Sequence, residues 1–128
     1  MANVINWFDI PVSDLDRART FYGTVLGREL TPQLDLGVED PRENGVQAIF
    51  LAEDGVGGGA LVQHALYRPS QEGSVVYLNG GDDLSVPLGK VEAAGGKIVL
   101  EKTGIGENGF IAYFLDTEGN KVGLHSMS

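Results

Sequence analysis

The chain has 128 residues, 42% of them apolar, a formal net charge of −9 and no cysteine. That describes one globular domain, 1–128, long enough to bury a core, and it excludes a disulfide framework, a cysteine nucleophile and a zinc–thiolate site. The acidity repels nucleic acid and anionic membrane, and the basic residues are scattered. No apolar run reaches membrane length, and the opening residues lack the basic-then-apolar pattern of a secretory signal. A cytoplasmic protein with neither nucleic-acid nor membrane partners is expected.

Residues 4–11 alternate and are rich in strand formers. Ser13 then offers a helix N-cap, with Asp16 as a weak capping-box partner. Leu15, Ala18, Phe21, Tyr22, Val25 and Leu26 recur at helical spacing, and Gly27 ends the helix as a left-handed cap. Strands are predicted over 29–34, 46–52 and 60–64. The glycine-rich run 55–59 reads as a flexible loop. It is not a phosphate loop, because no Lys-Ser/Thr and no helix N-terminus follow it. Residues 67–73 read as a linker.

The second half predicts a strand over 74–79. A short helix follows, capped by Asp83 or Ser85, tolerating Pro87 in its first turn and burying Leu88, Val91 and Ala94. Gly95-Gly96 stops it. Strands are predicted over 97–101, 109–115 and 121–125, the last two joined by the turn Thr117-Glu118-Gly119-Asn120.

The halves repeat one another. Asp14-Leu15 placed over Asp83-Leu84 brings Gly27 over Gly96, Arg28 over Lys97 and Leu30 over Val99. Residues 50–55, Phe-Leu-Ala-Glu-Asp-Gly, placed over 114–119, Phe-Leu-Asp-Thr-Glu-Gly, bring Ala48 over Ala112. The implied fold is α+β: two βαβββ modules, about 1–66 and about 73–128, each with one sheet face covered by a helix and one bare. Two bare faces curved together make a cup for a small ligand.

The segment Phe8-Asp9-Ile10-Pro11-Val12, with Asp14 to Ala18 and Phe21-Tyr22, resembles the opening of vicinal-oxygen-chelate domains. These are the glyoxalase, bleomycin-resistance and extradiol-dioxygenase group. The segment Phe114-Leu115-Asp116-Thr117-Glu118-Gly119-Asn120 is similar to that group's closing hairpin. The resemblance spans nearly the whole chain. It implies a small-molecule partner, a homodimer, and a divalent metal held by His, Glu or Gln from each quarter of the duplicated sheet. Here the corresponding positions hold Trp7, Val75 or Val76, Gly123, and one of residues 61–63, of which only Gln63 carries a donor. The usual metal site is therefore not expected, and no cofactor is assigned.

Candidate residues follow from that cup. His125 and Asp9 are the acid–base candidates. His125 alternates with Gly123, and Asp9 shares a face with Trp7. Trp7, Gln63, His64, Tyr77, Tyr113 and Gly123 are the ligand-contact candidates. Tyr77, Tyr113, Phe110 and Phe114 compete for the cup face, since alternation admits one member of each adjacent pair. Residues 107–110 and Lys102 read as a solvated loop or a rim. The first expectation is a metal-free binder of a small organic molecule, and an acidic cup could accept a cation. The alternative is an enzyme related to lactoylglutathione lyase, with one divalent metal displaced to His64, His125, Gln63 or Asp9.

Overall fold

A computed structural model describes residues 4–37, 40, 42, 44–52, 55 and 57–128. The element order is β1 (Asp9–Pro11), α1 (Leu15–Leu26), β2 (Leu34–Asp35), β3 (Val46–Leu51), β4 (Gly57–Gln63), β5 (Tyr77–Asn79), α2 (Ser85–Leu88), β6 (Lys97–Gly104), β7 (Phe110–Leu115) and β8 (Lys121–Ser126). They form two four-stranded mixed sheets, ordered β1-β4-β3-β2 and β5-β8-β7-β6. In each, the first strand lies parallel beside the last. The fold is α+β, with βαβββ occurring twice.

Helix α1 is shared by both sheets. Its buried stripe is Leu15, Ala18, Phe21, Tyr22 and Val25, the 3.6-residue spacing of one face. The Tyr22 ring meets Phe50 of β3 at 5.6 Å, edge-on, and Phe114 of β7 at 6.3 Å. Phe50 and Phe114 are repeat mates, as are Ala48 and Ala112, both fully buried. One aromatic side chain thus sits across the pseudo-symmetric centre of the core. Gly27 ends α1 at φ 64°, where a side chain would be strained.

Four local expectations are corrected. The N-cap of α1 is Asp14, not Ser13: its carboxylate accepts the Arg17 N–H. Asp16 makes no capping-box bond there. Instead Glu118, from the other module, accepts the Ser13 and Asp14 N–H groups at 2.9 and 2.8 Å and is paired with Arg17 at 2.8 Å. Gly57 and Gly59, read as loop, lie within β4. A Cβ on Gly59 would sit 2.4 Å from the Phe8 ring, and one on Gly57 would sit 2.6 Å from Ile49, so these glycines make room for neighbouring side chains rather than for flexibility. Strand 29–34 shrinks to a bridge at Leu30 and the short β2. The repeat positions Glu53 and Asp54, with Val56 and the first three residues, lie outside the described residues.

The closing turn ties the modules together. Asp116 is buried. Its Oδ2 accepts from the Tyr22 hydroxyl at 2.6 Å and from Asn120 Nδ2 at 3.0 Å, and its Oδ1 accepts the Glu118 and Asn120 N–H groups. Asn120 also donates to the Pro11 carbonyl at 2.7 Å and accepts the Ser70 N–H at 3.0 Å. Burial, and then the Asp116 charge, push the Tyr22 hydroxyl well above its ordinary value, so it stays a donor.

Burial by itself would raise the Glu118 carboxyl. The bonds from Arg17, Asp14, Thr117 and Ser13 together outweigh it and hold the group at about 2, below its ordinary 4.5. The folded chain therefore binds this proton less readily than the unfolded chain. The stabilisation is full above about pH 4.5 and is lost as pH falls through about 2. Glu118→Gln is expected to cost on the order of 2 kcal/mol at pH 7 and to flatten the acid limb of stability between about pH 5 and 2. Urea titrations at several pH values measure both, and an unchanged acid limb would show that another carboxylate sets it.

Among the described residues, Gln47 Oε1 is a buried side-chain oxygen with no hydrogen-bond partner. An unpaired buried acceptor costs about 1–3 kcal/mol. Gln47→Met keeps the shape and removes that cost, so the melting temperature should rise by roughly 3 °C. A fall in a thermal scan would mean that the amide is satisfied in solution.

Candidate functional site

The bare face of the β5–β8 sheet follows from strand alternation. The register Tyr77↔Gly123↔Tyr113 sets these residues side by side on β5, β8 and β7, with Asn79↔His125↔Ile111 in the next row. The Tyr77 and Tyr113 hydroxyls meet at 2.7 Å, and their rings lie 5.8 Å apart. This hydrogen bond, with burial second, pushes the Tyr77 hydroxyl up to about 12. Gly123 makes the arrangement possible: a Cβ there would lie 2.4 Å from Tyr77 Cδ1. The tyrosine ring therefore lies across β8 where any other residue would project. Phe114 points the other way into the core, and Phe110 packs against that core beneath the Lys102 ammonium, 4.6 Å from its ring centroid.

His125 Nε2 lies 2.6 Å from the Asn108 carbonyl, in the short 3₁₀ turn Gly106–Asn108. A carbonyl only accepts, so Nε2 is the donor, and the tautomer with this bond places the ring's lone pair on Nδ1. Lys121 lies beside this platform, its ammonium 5.5 Å from the Tyr113 ring centroid.

The bare face of the other sheet carries Asp9. Trp7 Nε1 donates to Asp9 Oδ1 at 3.1 Å, and Arg42 NH1 reaches both carboxylate oxygens at 3.1 and 3.2 Å. The Tyr67 hydroxyl lies 3.5 Å away. Arg42 also grips Asp40, whose carboxyl its hydrogen bonds hold down at about 2. Leu36, Ala60 and Val62 form a small apolar cluster, with Ile49 and Tyr67 packed against it. Trp7 is 44% exposed, a rim residue rather than a core aromatic.

The predicted site residues thus separate into groups. Tyr77, Tyr113, Gly123 and His125 come together on one sheet; Trp7 and Asp9 come together on the other. Gln63 joins neither. It faces the helix, and its Oε1 accepts the Leu15 N–H at 2.9 Å, completing the start of α1. His64 lies just beyond β4, its ring 5.7 Å from Tyr67 and its Nδ1 accepting the Leu66 N–H. Sequence reading missed Arg42, Tyr67, Lys121 and the Asn108 carbonyl. Arg42 and Tyr67 lie in connections without periodicity, and a backbone carbonyl has no sequence signal. Lys121 was legible, because it alternates with Gly123 on β8.

The two faces meet at a cleft of about 220 Å³ lined by Asp9, Pro11, Arg68, Ser70, Val76 and Lys121, among others. The Gly123 position is covered by a tyrosine ring, and among the described residues no three His, Asp or Glu side chains converge to hold an ion. No described helix is long and apolar enough to cross a membrane.

Residues 5–37 match the profile of the bleomycin resistance protein-like N-terminal family. No curated protein matches the chain in sequence. Among solved structures, glyoxalase I from Zea mays is similar at 25% identity and a TM-score of 0.68, over 98% of this chain and 48% of that one. The chain thus spans about half the length of the maize glyoxalase I chains it matches. An antibiotic binding protein from a Streptomyces species is similar at 22% identity and a TM-score of 0.65, over 99% of this chain and 98% of that one. A glyoxalase/bleomycin resistance protein from Albidiferax ferrireducens matches over 98% of this chain and 100% of that one, at 16% identity and a TM-score of 0.67. The duplicated βαβββ fold, the matched opening segment and these neighbours agree: the chain has the glyoxalase/bleomycin-resistance fold.

Proposed function

We propose that the chain binds a small planar organic molecule against the Tyr77–Tyr113 face, with no divalent metal at the superfamily's usual position. The observation that carries this reading is the Tyr77 ring lying over Gly123, which puts an aromatic surface where a donor side chain would stand. Tyrosine rings present a π-face and a polar edge to a flat ligand. Their hydroxyl pair holds them in place with one proton left to donate outward, since each oxygen carries a single hydrogen and only one is used between them. His125 adds an acceptor on the same sheet. The Streptomyces neighbour of the same length, an antibiotic binding protein, supports a binding role.

The reading is tested by elemental analysis of purified protein, followed by melting curves with Ni, Zn, Mn and Fe(II). Well under one metal ion per chain and no shift are expected. Stoichiometric metal, or a rise of several degrees with one ion, would overturn it. Calorimetric titration with 1-naphthol then measures the aromatic site. Tyr77→Ala should weaken binding about five- to tenfold, roughly 1 kcal/mol of ring contact. Substituting His125 should shift affinity; if the protein instead turns over a substrate and loses that turnover in the variant, a binding role alone is wrong.

A further inference from the structure

The formal charge of −9 suggests a cationic ligand, but the residues around the cleft point the other way. Of the nine basic residues, Arg17, Arg42 and Lys102 are committed to carboxylates. Among the described residues Lys121 makes no ion pair; its ammonium faces the Tyr113 ring at 5.5 Å. Arg68 makes no ion pair either, and both line the 220 Å³ cleft between the modules. Ser70 and Ser74 also line that cleft. Two carboxylates oppose them, Asp9 and Glu72. Asp9 shares Arg42 with Asp40 and takes further bonds from Trp7 and Tyr67, so its oxygens are engaged, whereas Arg68 and Lys121 have no ion pair among the described residues.

Lys121 therefore joins two features: the aromatic platform on one side and, on the other, a cleft where it and Arg68 are two cations without an ion pair among the described residues. We propose that the ligand is an aromatic acid, its ring on the Tyr77–Tyr113 face and its anionic group held by Lys121 and Arg68. This rests on the binding reading above and names its ligand class. A cation half-buried against a ring gains most from a partner that is both flat and anionic, since ring contact excludes water and strengthens the charge pair. The long-range field of the acidic chain slows approach of an anion. The local pair decides its affinity, because the Debye length at physiological salt is only about 8 Å.

Three probes of one shape separate the possibilities by calorimetry at low salt: 1-naphthoate, neutral 1-naphthol and cationic 1-naphthylmethylamine. The native protein should bind naphthoate at least about tenfold more tightly than naphthol, and this preference should shrink as salt is added. Lys121→Met should remove most of the preference and Lys121→Arg should retain it. Arg68→Gln should reduce it by a few-fold, and Lys90→Met, on the helical side, should leave it unchanged. Naphthol or the amine binding as tightly as naphthoate would overturn the anionic assignment while leaving the aromatic site standing, as would an undiminished preference in both Lys121→Met and Arg68→Gln. Failure of all three probes to bind would overturn this inference and the binding role together.

Discussion

One buried carboxylate holds the two halves of this chain together. Asp116 collects the Tyr22 hydroxyl, the Asn120 amide and two turn N–H groups. A buried charge survives only when its lone pairs are met this fully. Everything else depends on that turn. It fixes Asn120 against Pro11 of β1 and Ser70 of the linker, and it aims Glu118 at the start of α1. The placement of β1 against β5 and β8, and hence the cleft between the bare faces, follows from these bonds more than from sheet pairing, since among the described residues no strand of one sheet pairs with a strand of the other.

The bare faces show how one scaffold changes chemistry without changing shape. At Gly123 the backbone is kept and the side chain is absent, and the space is taken by a ring from the neighbouring strand. A position without a side chain thus carries an apolar surface rather than a hole. The cost is that any side chain here would displace the ring, because a Cβ would meet it far inside van der Waals contact. Polar character survives at the edges, through the hydroxyl pair, His125 and Lys121.

Much of this was legible in the sequence, for definite reasons. The repeat pairs Ala48 with Ala112 and Phe50 with Phe114, and all four pack around Tyr22's side of the core. Period-2 alternation correctly set Tyr113 against Phe114, and Asp9 against Phe8. The failures came where two causes leave the same trace. A glycine run reads alike whether it bends freely or makes room for Phe8, and only the tertiary contact tells them apart. Gln63 reads as a cup donor until its partner, the Leu15 N–H, is seen 48 residues away. Local motifs point to Ser13 and Asp16 for capping, whereas α1 is capped by Asp14 and its entry is clasped by Glu118 from the far end of the chain.

That last contact bears on how the protein is made. The backbone of Ser13 waits for a carboxylate 105 residues further on. Emerging from a ribosome, α1 can coil early and take its caps from Asp14 and Gln63, yet the N–H groups of Ser13 and Asp14 lack this partner until the closing hairpin has been synthesised. Contacts of such sequence separation form late and carry a large loop-closure entropy. The first module is thus not a finished unit awaiting a second copy of itself. A truncated chain ending before residue 116 loses the clasp along with the last strand, so the first of the two halves, alike in pattern, depends on the second for these bonds.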